Sequence, residues 1–228
     1  MEIEVASFTI HENYDEPRTD DNDIAIIELA EEVDLTIYTP ACLAKSSDTT
    51  TFDGKNAWVY GEIPDWRHHF LSPVPGWGAL SFEEDVEDDV YPAVLREVKL
   101  PVVTNAECEE AHNAILDIDY DIIITEGMLC AGGEVGKDFC SVSKITKIIF
   151  IKPTPQGDNG GPLTYKSGSQ HVLIGVASWG WGCGGYMGGD NVYEGLYGVF
   201  GRISYYREWI ERKMTSPSYC DSSPDADE

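Results

Sequence analysis

Few residues in this chain could do chemistry, and they are widely scattered. Acyl transfer by a side-chain nucleophile needs three groups: a hydroxyl or thiol, an imidazole that takes its proton, and a buried carboxylate that orients the imidazole. Carboxylates are plentiful, with 41 Asp and Glu residues. The available imidazoles are His11, His68, His69, His112 and His171. In the run GDNGGPL, Asn159 carries an amide. An amide nitrogen is a poor nucleophile, with no proton that an imidazole could usefully remove. Cysteines stand at 42, 108, 130, 140, 183 and 220, and none of these spacings reads as a Cys-x-x-Cys metal or redox pair. An even number in a chain of this composition suggests disulfides and an oxidising compartment. No metal and no cofactor is expected.

The elements that must position these groups read as short strands. The chain has 228 residues, 42% hydrophobic and 11% aromatic, with 22 glycines and 12 prolines. That is ample for a core, and the apolar runs are short and broken by Gly, Pro, Asn and Asp, the rhythm of an all-β barrel or sandwich. Residues 5–10, 24–29, 56–60, 95–103, 172–179 and 196–203 read as strands. A short helix is expected over 105–115, capped by Thr104 or Asn105. A second is expected over 205–213, with Trp209 and Ile210 on its inner face. The tail, 214–228, reads as acidic and disordered. The net charge of −26 disfavours nucleic acid and anionic membrane as partners and favours cationic ones. No run is long enough to span a membrane. The N-terminus lacks the basic start and apolar stretch of a signal peptide, which, beside disulfide-type cysteines, suggests a truncated start.

Several stretches, in this order, resemble the trypsin-like (chymotrypsin-type) serine protease family: HENYD with DNDIAIIEL, PACL, GWGAL, LREVKLPVVTNAEC, MLCAGG, GDNGGPL, GVASWGWGC and YGVFGRISYYREWI. The resemblance covers about residues 8–213. It implies two antiparallel six-stranded β-barrels, the first incomplete here, followed by a C-terminal helix. The domain is taken as 1–213, lacking its N-terminal part.

The resemblance also assigns roles. Asp23 matches the triad aspartate. The family histidine lies upstream in an Ala-Ala-His-Cys context that this chain lacks, so the triad imidazole is absent and each histidine present reads as a surface or structural one. Asn159 occupies the place of the nucleophilic serine. Gly157, Asp158 and Asn159 match the oxyanion-hole segment, which an activation-generated N-terminus would organise by pairing with Asp158; no Ile-Val-Gly-Gly start supplies it, so a zymogen-like or disordered hole is expected. Asp138 matches the acid at the base of a pocket for Lys or Arg. Ser178, Trp179 and Gly180 match the segment that hydrogen-bonds substrate backbone as an added strand, and Gly198 the pocket-wall glycine. Phe139 stands where the family has a small residue, and a wider loop, 184–197, follows Cys183. The implied disulfides are Cys108–Cys130 and Cys140–Cys183, which leaves Cys42 with Cys220.

Two segments depart from family spacing. Residues 62–75 interrupt AWVYG…WGAL, and residues 142–156 interrupt DFCS…GDNGGPL. The residues at both sets of edges can be encoded by splice donor and acceptor sequences, so retained introns are one reading and genuine surface loops the other. Three functions follow. The first is a secreted, catalytically inactive homologue that binds basic peptide segments, an inhibitor or an active protease. The second is an incomplete record of an active extracellular endopeptidase cleaving after Lys or Arg. The third is a structural extracellular module.

Overall fold

The computed structural model describes residues 2–60, 97–115, 121–134, 137, 140–142, 158–183 and 196–214. Among the described residues, eleven strands and two helices run in the order β1 (Val5–Ile10), β2 (Ala25–Leu29), β3 (Cys42–Leu43), β4 (Asn56–Tyr60), β5 (Glu97–Val103), α1 (Asn105–Ile115), β6 (Met128–Gly132), β7 (Cys140–Val142), β8 (Pro162–Ser167), β9 (Gln170–Trp179), β10 (Trp181–Cys183), β11 (Tyr197–Arg202) and α2 (Ile203–Lys213). The fold is therefore mostly β with a C-terminal helix, as the sequence pattern implies.

The largest sheet has the order β11-β6-β5-β4-β8-β9-β3, and a further β11–β9 pairing closes six of these strands into a barrel. Closure removes the edges that an open sheet would leave unpaired. Period-2 alternation shows why these residues form its wall. On β4, Ala57 and Val59 point inward, and on β5, Val98, Leu100 and Val102 do so, all nearly inaccessible to water. Leu163 and Phe200 fill the middle and are fully buried; each such side chain contributes roughly 1.5–3 kcal/mol by leaving water. Strand β3 pairs parallel to β9 through Cys42↔Val172 and Leu43↔Leu173.

Helix α1 begins at a capping hydroxyl: Thr104 Oγ1 accepts from the Glu107 amide at 3.1 Å. Asn105 has a different task. Its amide donates to the Thr125 and Met128 carbonyls, and its Oδ1 accepts from Arg202 at 2.6 Å. Arg202 is itself buried and donates to the Met128 and Thr49 carbonyls, tying α1, β6 and the loop before β4 together. Helix α2 buries Ile203, Tyr206, Trp209 and Ile210 against the barrel. Cys108 and Cys130 form a disulfide between α1 and β6, and Cys42 is also disulfide-bonded. In the β7–β10 pair, Cys183 lies in register with Cys140. Cys220 lies outside the described residues.

Strands β1 and β2 form a separate antiparallel ribbon in which Phe8 faces Ile27 and Ile10 faces Ala25. The loop between them, residues 11–24, attaches the ribbon to the barrel. Ile24 belongs to the barrel core, His11 packs on Trp209 with ring centroids 4.9 Å apart, and Glu12 accepts from Trp209 Nε1 at 2.7 Å and pairs with Lys213.

Candidate functional site

Residues 158–161, within the run GDNGGPL, fold into a tight turn that leads into β8. The Gly161 amide donates to the Asp158 carbonyl at 2.9 Å, closing a four-residue turn over 158–161. Its third residue, Gly160, has φ +85°, in the left-handed region open to glycine. At Gly161 a Cβ would stand 2.8 Å from the Asp158 carbonyl oxygen, so a side chain is excluded there by backbone. Asp158 is buried and Asn159 projects into solvent. Two bonds clamp this turn to β9: Gly160 N–H donates to the Ala177 carbonyl at 2.8 Å, and Ala177 N–H donates to the Gly161 carbonyl at 2.9 Å.

The residue after Ala177 completes the arrangement. Ser178 is buried, and its hydroxyl donates to Asp23 Oδ2 at 2.6 Å across a sequence separation of 155 residues. A hydrogen bond to an ionised carboxylate is worth about 1.5–3 kcal/mol, more than a neutral one. Asp23 thus sits half-buried at the start of β2, with its carboxylate held by the strand that holds the Asn159 turn. The charge of Asp23 is also the main cause that pushes the Tyr14 hydroxyl above its ordinary pKa, followed by burial. Asp21, next but one, is buried and accepts from Thr125 Oγ1 at 2.7 Å.

Trp179 ends β9 and Gly180 follows it, and Trp179 lies in register with Val199, the residue after the buried Gly198 on β11. Behind Trp179 is an aromatic layer. His112, fully buried on α1, meets Trp179 edge-on at 5.8 Å and Tyr197 at 6.4 Å. Its Nδ1 bonds to the Cys108 carbonyl at 2.8 Å; a carbonyl accepts only, so the proton sits on Nδ1. Burial lowers the His112 pKa and keeps the ring neutral. Tyr197 is fixed in turn by donating to Glu107 at 3.1 Å.

Of the sequence candidates, Asp23, Asp158, Asn159, Ser178, Trp179, Gly180 and Gly198 lie within the described residues. Asp138, Phe139 and Gly157 lie outside them. Among the described histidines, His11 is engaged with Trp209 and Tyr206, His112 with Cys108 and Trp179, and His171 with Tyr60 Oη at 2.8 Å. None of these three bonds Asp23. His68 and His69 lie outside the described residues. Among the described residues no group of three or more His, Cys, Asp or Glu side chains is gathered as a metal site requires. The sequence reading missed the use of the Ser178 hydroxyl on Asp23, and the aromatic backing of Trp179 by His112 and Tyr197; neither is signalled by local spacing.

The arrangement is a buried-hydroxyl clamp on one carboxylate, a glycine-rich turn carrying an exposed amide, and an aromatic wall at a strand end. A described nucleophile with an imidazole beside it is not part of it.

Comparison with known proteins bears on the same residues. The family model Trypsin matches residues 1–142 and 146–210. Trypsin-1 of Astacus astacus is 31% identical over 212 residues, covering 92% of this chain and 66% of that protein. Human transmembrane protease serine 11B is 30% identical over 216 residues, 93% of this chain and 40% of the relative. The inactive CLIP domain-containing serine protease A3 of Aedes aegypti is 27% identical over 210 residues, 92% of this chain and 35% of the relative. The chain thus spans between about a third and two thirds of the length of these curated relatives. On the collinear motifs, the barrel and the family match together, the chain belongs to the trypsin family.

Proposed function

We propose that this chain is a catalytically silent member of the trypsin family that binds extended peptide segments carrying Lys or Arg without cleaving them. The observation that carries this reading is Asn159. It occupies an intact, glycine-dependent turn clamped to β9, and its amide offers no hydroxyl for acyl transfer. Asp23 is held in place by Ser178, but the described histidines are committed elsewhere. Losing one member of a Ser-His-Asp set already reduces catalysis to what binding and the oxyanion hole supply.

Binding draws on other parts of the molecule. Asp138 supplies the acid for a basic side chain, Trp179 and Gly180 supply the strand edge and wall, and Gly198 leaves room beside them. The net charge of −26 steers cationic partners toward the chain. Candidate partners are basic segments of protein inhibitors or of an active protease. The disulfides at Cys108–Cys130 and Cys42 support a secreted protein in an oxidising compartment. The likeness to a relative named as inactive supports the silent reading.

The second reading is an active endopeptidase cleaving after Lys or Arg, of which this sequence is a mis-spliced record. It rests on the otherwise intact GDNGGPL run, because one base separates Ser from Asn codons. Sequencing the transcript across codons 55–165 separates the two. Reads that keep Asn159 support the silent reading, and reads that encode Ser there overturn it. The same reads decide whether 62–75 and 142–156 are loops or retained introns.

The binding claim is tested with fluorescent peptides that differ only in Lys or Arg against citrulline. The basic peptides bind at least about tenfold more tightly, and Asp138→Asn removes the difference. Equal affinity for both peptides contradicts the reading.

A further inference from the structure

We propose that the Asn159–Gly160 bond is a self-modification site of the folded protein, at which Asn159 loses ammonia and becomes aspartate or isoaspartate. Asn159 is the one asparagine in the sequence that glycine follows; Asn13, Asn22, Asn56, Asn105, Asn113 and Asn191 precede Tyr, Asp, Ala, Ala, Ala and Val. A following side chain hinders attack by its own backbone nitrogen on the asparagine side chain. Glycine has none, and beside Gly160 the space that a Cβ would occupy is empty to 4 Å.

The two reacting groups differ in how they are held. The amide of Asn159 is exposed and makes no hydrogen bond among the described residues. By contrast, Asn105 and Asn113 use both amide atoms in hydrogen bonds, and Asn22 donates to two carbonyls. The nucleophile is restrained instead. Gly160 N–H is engaged with the Ala177 carbonyl at 2.8 Å, so attack requires that this bond open.

In the step itself, solvent base removes the Gly160 amide proton and the nitrogen attacks Cγ of Asn159. The N–Cγ bond forms, the Cγ–Nδ2 bond breaks, and ammonia leaves with a proton from solvent, giving a five-membered succinimide. One water then opens the ring. Opening at Cγ gives the normal aspartate backbone; opening at the other carbonyl gives isoaspartate, which carries the main chain through the side chain. Either product places a carboxylate where Asn159 was neutral. The isoaspartate also adds a backbone atom inside the 158–161 turn, which cannot then keep the Gly161 N–H bond to Asp158 at its present geometry.

The experiment incubates the native chain at mildly alkaline pH, maps peptides for aspartate and isoaspartate at all seven asparagines, and follows amide exchange at Gly160 in parallel. Conversion is expected first at Asn159, rising with hydroxide concentration and tracking Gly160 exchange. It is expected to accelerate at least about tenfold when the chain is unfolded, since the gate is then gone. Asn159→Gln, which keeps an exposed amide but must close a six-membered ring, is expected to suppress the signal while leaving the fold unchanged. An intact Asn159 while another asparagine converts, or a rate indifferent to unfolding, overturns the proposal.

Discussion

The closed barrel and the β1–β2 ribbon are built from the same residue types, and their burial could hardly differ more. Leu163 and Phe200 in the barrel are fully buried, whereas Phe8 and Ile27 on the ribbon are 69% and 61% exposed. On β1, Phe8 and Ile10 alternate with Ser7 and Thr9, as Val98 and Leu100 alternate with Glu97 and Lys99 on barrel strand β5. The barrel strands close on one another, so every inward side chain meets others, while the ribbon has two strands and nothing described over its apolar face. Alternation makes a strand; only neighbours make a core. The candidate site straddles this divide. Asn159, Ser178 and Trp179 belong to the barrel, but Asp23 enters from the ribbon side and depends on the anchored 11–24 loop.

The largest break in this comparison comes from matched truncations. Phe200→Ala is expected to cost about 3–5 kcal/mol of unfolding free energy, and Phe8→Ala to fall within about 0.5 kcal/mol of the parent. Chemical denaturation of both measures it, and comparable losses would show that the ribbon face is covered. Next is the barrel's own staple. Replacing Cys108 and Cys130, 22 residues apart, with alanine costs about 3 kcal/mol, read as a lower denaturation midpoint under oxidising conditions.

The link between the regions is tested by Ser178→Ala, which removes the donor to Asp23 and is expected to cost about 1.5–3 kcal/mol. Amide exchange should quicken in residues 11–24 while the barrel strands keep their protection. A smaller, pH-dependent effect belongs to Glu12. Hydrogen bonds from Lys213, its own backbone and Trp209 lower its pKa from 4.5 to about 2. Because the folded value is depressed, its stabilising contribution is present above pH 4.5 and is lost as pH falls toward 2. Parent and Glu12→Gln midpoints, distinct at neutral pH, should therefore converge as pH falls through that window. His112 gives the barrel counterpart: burial lowers its pKa, so stability is held above its unfolded value near 6.5 and falls below it.

Much of this was legible before any coordinates. The alternation in AWVYG and EVKLPVV marks barrel strands, Thr104 marks the start of α1, and Trp209 with Ile210 marks the buried stripe of α2. The family resemblance points to Asp23 and Asn159 because each sits in a contiguous run. What stayed hidden was non-local. The Ser178–Asp23 bond joins residues 155 apart, His112 reads from sequence as an ordinary helix histidine, and Arg202 gives no sign that it joins Asn105 to Thr49. Such contacts depend on how strands and helices pack, which no local spacing encodes.

The central claim, binding without cleavage, is tested most directly by assaying one sample of the chain for both. A Lys- or Arg-based ester is presented under conditions where the matching basic peptide saturates its site. The account predicts peptide binding with no ester turnover above the buffer rate. Steady turnover abolished by a serine-directed phosphonylating reagent would contradict it.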